Sequence, residues 1–176
     1  MFNIRLLEQI QIVTAFPPSD LNTDADGDWV SLKNYSGCLI VVHKAAGTAG
    51  DDISLLVEQA TAVAGTSSKA LTFNHLYAKV GATALTGVGA FTKYTGTATN
   101  DLDTVSTFGT DIVADTGEAL FVIDIKASDL DVTNGFDCLK VSIEGDDVGN
   151  STYGAGFYIL YGAAYPGASP LSAIVD

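Results

Sequence analysis

Residues Asn22 to Val42 read "NTDADGDWVSLKNYSGCLIVV". The stretch opens like a calcium loop and closes like the inside of a β-sheet. Asn22, Asp24, Asp26 and Asp28 fall on alternate positions around Gly27, and a Trp and an aliphatic run follow. In an EF-hand register begun at Asn22, the first three ligands are Asn22, Asp24 and Asp26, with Gly27 at the sharp turn. The last position demands a bidentate carboxylate and holds Lys33, whose cation repels calcium. The EF-hand reading fails. Two readings stay open. One is a looser metal site built from Asp24, Asp26 and Asp28. The other is an acidic turn, in which Gly27 supplies a positive φ and the Asp side chains bond local amides. In the second reading the stretch only turns the chain, and Trp29 anchors the first core strand.

The aliphatic run that follows is one of many. Strands are expected at Trp29–Asn34, Cys38–Lys44, Ile53–Gln59, Ala70–Val80, Ala90–Tyr94, Ala119–Ile125, Phe136–Glu144 and Ala155–Tyr161. They are rich in Val, Ile, Phe, Tyr and Thr and partly alternate in polarity. In "ISLLVEQ", Ile53, Leu55 and Val57 share a face; in "CLKVSIE", Cys138, Lys140 and Ser142 alternate with Leu139, Val141 and Ile143. "CLIVV" and "ALFVIDI" are almost continuously apolar, as in strands covered on both sides or crossing a thick core. The Asn-Gly pair of "TNGF" (Thr133 to Phe136) signals a tight turn between strands.

Short strands at even spacing in one chain predict an all-β fold. The form expected is an antiparallel β-sandwich, jelly-roll-like, of about eight strands. The Cys–Trp–Cys order of an immunoglobulin domain is absent, because Trp29 precedes both cysteines. Ile4–Val13 fits a short helix or a strand, and an extended N-terminal arm ending at Pro17 and Pro18 is the better fit. The expected organisation is an arm over 1–20, a sandwich over 21–165 and a tail over 166–176, with arm and tail outside the core.

Composition narrows the function. Hydrophobic residues make up 47% of the 176 and charged residues 16%, which suits a packed core rather than a disordered chain. No apolar run is long enough to span a bilayer, and "MFNIRLLEQIQIVTAF" lacks the basic start and unbroken apolar centre of a secretory signal. The expectation is a chain made in a cytoplasm and no membrane partner. The formal charge of −13 repels phosphate backbones, so direct nucleic-acid binding is not expected.

Reactive constellations are sparse. Cys38 and Cys138 lie in apolar runs and read as buried, reduced thiols; no CxxC pair suggests zinc or redox work. Asp129, Asp131 and Asp137 would approach one another if the segment doubled back, as a pair of glycosidase carboxylates does, although acid-lined loops are common in acidic β proteins. His43 and His75 read as strand residues, with no nucleophile elbow and no phosphate loop to accompany them. No cofactor and no enzyme activity are expected. The aromatics Tyr153, Phe157, Tyr158, Tyr161 and Tyr165 would place rings on alternate faces of one strand, for core packing on one side and interface packing or a sugar on the other.

Three stretches carry a family resemblance: "DGDWVSLKNYSGCLIVVHKAAGTAGDDISLLVEQAT" (Asp26 to Thr61), "KALTFNHLYAKVG" (Lys69 to Gly81) and "DLDVTNGFDCLKVSIEGDDVG" (Asp129 to Gly149). With their "GDWVSLKNY", "KAAGTAGDD" and "DLDV…NGFDCL" phrases they resemble small virion proteins encoded near the head genes of tailed bacteriophages. The likeness runs from about Asp24 to Tyr161. It implies a non-enzymatic structural protein of the virion, such as a head decoration (cement) protein or a neck or collar component. It further implies a homo-oligomer, a trimer first, docked on the major capsid protein or other virion proteins. It transfers no functional residue. A carbohydrate- or receptor-binding module, calcium-assisted through Asp24, Asp26 and Asp28, is the alternative, and a hydrolase built on Asp129, Asp131 and Asp137 a distant third.

Overall fold

β-Branched and aromatic residues alternating with small polar ones favour a pleated, half-buried surface over a helix. The computed structural model follows that preference; it describes residues 6–47, 53–81, 90–99, 117–144, 152–164 and 173–174. Its strands are β1 (Ile10–Asp20), β2 (Ala25–Asp26), β3 (Val30–Ser31), β4 (Gly37–Lys44), β5 (Ser54–Ala60) and β6 (Lys69–Ala70). They continue with β7 (Thr72–Val80), β8 (Thr92–Thr99), β9 (Ala119–Lys126), β10 (Cys138–Glu144) and β11 (Tyr153–Tyr161). Among the described residues the only helical pieces are single 3-10 turns, such as Ala127–Asp129 and Val132–Asn134.

Two antiparallel sheets result. One runs β1-β11-β4-β9-β7-β8 and the other β2-β10-β5-β6, with β3 also on β10. Count β2 and β3 as one interrupted strand, and the pairs β1·β11, β2/β3·β10, β4·β9 and β5·β6 become successive sections of one long double ribbon. Rolled up, that ribbon has jelly-roll order. β6 and β7 are one bent strand: Leu71 N–H still bonds Val57 in the smaller sheet, whereas Tyr77 lies opposite Val122 in the larger. β8 adds an outer strand beside β7.

The core fills the space between the sheets. Cys38, Ile40 and Val42 on β4, Phe121, Ile123 and Ile125 on β9, and Tyr158 and Leu160 on β11 meet Leu55 and Val57 on β5 and Leu139, Val141 and Ile143 on β10. Ile53, Leu55 and Val57 do share the inner face, and so do Leu139, Val141 and Ile143. Complete burial of each such side chain contributes about 1.5–3 kcal/mol, enough for the period-two pattern to fix which face turns inward.

Several expectations change. Ile10–Asp20 is extended, but it is the edge strand of the larger sheet, with Ala15 and Phe16 in the core, and does not lie outside it. The reason is local: Gly156 leaves a hollow on β11 that the Phe16 ring fills, at 2.4 Å from where a Cβ would stand. Of the tail only Ala173 and Ile174 are described, and Ala173 is buried, its carbonyl accepting from Ser31 N–H. The expected strand Trp29–Asn34 shrinks to Val30–Ser31, and the core anchors are Val30 and Leu32; Trp29 is only half-buried. The Asn134-Gly135 pair does not close a hairpin. Gly135, at φ 83°, ends a 3-10 turn that carries the chain from one sheet to the other.

Candidate functional site

The opening acidic stretch breaks a strand. β2 and β3 both pair with β10, and the residues between them, Gly27 to Trp29, stand opposite Lys140 and Val141 without ladder pairing. The hydroxyl of Tyr158 fills the gap from the other sheet. It accepts a hydrogen bond from Val141 N–H at 2.8 Å and donates one to the Asp28 carbonyl at 2.9 Å. Burial pushes that phenol far above its usual range, so it stays neutral and able to donate. Gly27 is not in the left-handed region. It is needed because a Cβ would stand 2.1 Å from the Val141 carbonyl oxygen.

Nor do the aspartates assemble a cation site. Asp26 Oδ1 accepts from Ser142 Oγ at 3.2 Å and from Lys140 Nζ at 3.3 Å, and Asp24 lines the same shallow groove of about 440 Å³. Asp28 borders a separate hollow with Trp29 and Val63. Among the described residues no three His, Cys, Asp or Glu side chains are placed to hold a metal ion. Lys140 sits among opposing partners: Glu58 Oε2 at 3.2 Å, Asp26, and the Trp29 ring at 5.5 Å.

Asp129, Asp131 and Asp137 likewise serve the turns that carry them. Asp129 Oδ2 accepts from Lys126 N–H at 2.9 Å, and Asp137 Oδ1 accepts from the Cys138 thiol at 3.2 Å. Asp131 is held by Lys69 and by the Asn134 amide, and these hydrogen bonds keep its carboxyl below the usual carboxylate range. A group so stabilised as an anion is a poor proton donor near neutrality. His43 Nε2 lies 2.7 Å from Glu118 Oε1. His75 lines a cleft of about 600 Å³ where β7 splays from β9, and its Nδ1 is buried without a partner among the described residues. Cys38 and Cys138 form no disulfide and lie in different sheets, both fully buried, and burial raises the Cys38 pKa far above normal.

The feature that stands out is the outer face of the six-stranded sheet. Its cross-strand neighbours form rows: Ile12, Ile159, Leu39 and Asp124; then Thr14, Phe157, Val41, Val122 and Tyr77; then Ala155, His43, Leu120 and Lys79. Sandwich strands with one wet side carry polar residues there. Here an apolar band crosses five strands instead. Leu39, Val41, Leu120, Val122 and Ile159 half-bury one another, while Ile12 is 52% and Phe157 38% exposed. Polar groups stand at its borders. The Tyr161 hydroxyl donates to Asp124 at 2.7 Å, and Lys93 approaches the Tyr77 ring at 5.7 Å. Of the aromatic cluster near the C-terminus, Tyr158 is in the core, Tyr153 and Phe157 face out, and Tyr165 lies outside the described residues. The band's signal was present in the unbroken apolar runs "CLIVV" and "FYIL", which a strand with one solvated side would not show. Chemically the face offers burial, not reaction. No protein-family model, no curated protein and no solved structure matches the chain.

Proposed function

We propose that this chain is a non-enzymatic structural component of a tailed-phage virion, best read as a capsid decoration protein that stabilises the head. Its partners on this reading are further copies of itself and the major capsid protein, and it resides on the particle after synthesis in the host cytoplasm. The observation that carries the reading is the apolar band on the outer face of the larger sheet, since contiguous exposed apolar surface marks docking. The family resemblance supplies the setting. Many copies on a repetitive shell turn a modest contact into collective strength. Neck or tail attachment differs only in which part of the particle supplies the partner surface.

Co-sedimentation with expanded, DNA-free shells tests the reading. Saturable binding at a fixed copy number is expected, together with greater resistance of the shells to heat. Failure to bind shells, necks or tails would remove it. The groove beside Lys140, with Trp29 at hand, favours a second reading as a carbohydrate- or receptor-binding module. Glycan-array binding that is lost in Trp29→Ala would move the weight there.

A further inference from the structure

We infer that the outer face of the six-stranded sheet packs against the same face of a second copy of this chain, across a two-fold axis. The inference rests on reading the chain as an assembly subunit, and it names the occupant of the band.

Charge selects a copy of the chain and this face together. Two molecules that each carry −13 repel, so they associate only where carboxylates do not meet. The band meets that condition. Among the described residues its bordering acids are already engaged: Asp124 by the Tyr161 hydroxyl, Glu118 by His43, Asp129 by the Lys126 amide and Asp20 by the Asn22 amide. The cations Lys79, Lys93 and Lys126 stand at the same margin. The outer side of the smaller sheet is the opposite case, since Asp24, Asp26, Glu58 and Glu144 gather along one groove around Lys140 and outnumber it. Copies stacked there would set acid against acid.

Shape and size agree. An apolar surface that complements itself makes an isologous contact, with each copy giving the same patch. Sheets stack face to face at about 10 Å when small and branched side chains cover both, as Val41, Val122, Leu39 and Ala155 do here. Five strands about 4.8 Å apart, with outward positions about 7 Å apart along each, span roughly 500 Å² in projection. Side-chain relief raises that toward the ~800 Å² each partner gives to a standard interface.

The test is sedimentation and light scattering on the full chain over a wide concentration range, in parallel with the shell-binding assay. A reversible dimer, or an even multiple of it, is expected. It should tighten with added salt, which screens the like charge while sparing apolar burial. Ile12→Asp and Phe157→Gln should each weaken association about tenfold or more, whereas Val132→Asp, at an exposed apolar site off the face, leaves it unchanged. Circular dichroism confirms that the variants fold, and radical footprinting of Phe157 in the unaltered chain reads the face directly, with protection expected to rise with dimer. A monomer with Phe157 open to solvent overturns the inference, and if it still binds shells the functional reading survives. A monomer with Phe157 protected overturns it too, in favour of cover from within the same chain. So does a trimer indifferent to Phe157→Gln. A dimer that ignores every part of the particle keeps the interface and removes the virion role.

Discussion

Removing one oxygen atom tests whether the two sheets are coupled as described. Tyr158→Phe keeps the ring in the core and deletes the hydroxyl that bonds Val141 N–H and the Asp28 carbonyl. Both groups stand where the β2–β3 strand is interrupted, so no neighbouring strand replaces the lost partner. An unsatisfied buried donor or acceptor costs about 1–3 kcal/mol, which for the two groups puts the substitution at about 2–6 kcal/mol. For a chain of this length that corresponds to a fall in Tm of roughly 4–24 °C. Urea unfolding followed by the fluorescence of Trp29, the single tryptophan and next in sequence to Asp28, reports the transition. Tyr161→Phe is the comparison. Its hydroxyl bonds Asp124 near the surface and should cost below about 1 kcal/mol. If Tyr158→Phe costs no more than Tyr161→Phe with an unchanged denaturant slope, the cross-core pin carries no weight and the reasoning is wrong.

Other consequences can be checked separately. Gly27→Ala forces a Cβ against the Val141 carbonyl and should destabilise by about 3 kcal/mol or more in urea titration. Gly135→Ala meets no atom within 4 Å and carries only the left-handed backbone, at about 1–2 kcal/mol. In the folded state Cys38 and Cys138 should resist a thiol reagent at neutral pH and react together once urea unfolds the chain. The Asp131 pKa is lowered in the folded state, so its contribution is present above the unfolded carboxylate pKa near 3.9 and is lost as pH falls through the lower folded value. Asp131→Asn should therefore lower stability in the neutral region, change it little at the acid end, and so flatten the acid limb of the stability–pH curve.

Period-two burial made much of this fold legible in the sequence. Leu55 and Val57, or Leu139, Val141 and Ile143, can face the core only if the strand turns that side inward, and each does. Connectivity was not legible, because a strand's composition says nothing about which later strand lies beside it. Prolines misled in one place: Pro17 and Pro18 suggested a free arm, yet an edge strand tolerates missing amides at the register irregularity between Phe16 and Ser19. The role of Gly27 was hidden for a similar reason. Its requirement comes from the Val141 carbonyl, more than a hundred residues away, and not from its own φ. The apolar face showed in part, as runs that failed to alternate, but only cross-strand register turns "CLIVV" and "FYIL" into adjoining rows of one surface.

The double-ribbon topology also dictates a timetable. β4 lies between β11 and β9, and among the described residues β1 pairs only with β11, so neither early strand meets its neighbours until nearly the whole chain has left the ribosome. Until then "GCLIVV" is a naked adhesive segment in a crowded cell, and long-range pairings of this kind form slowly. A burst of synthesis would make nascent chains of this protein compete with one another for those same edges. Its yield would then be governed by translation rate and chaperone supply more than by the stability of the finished fold.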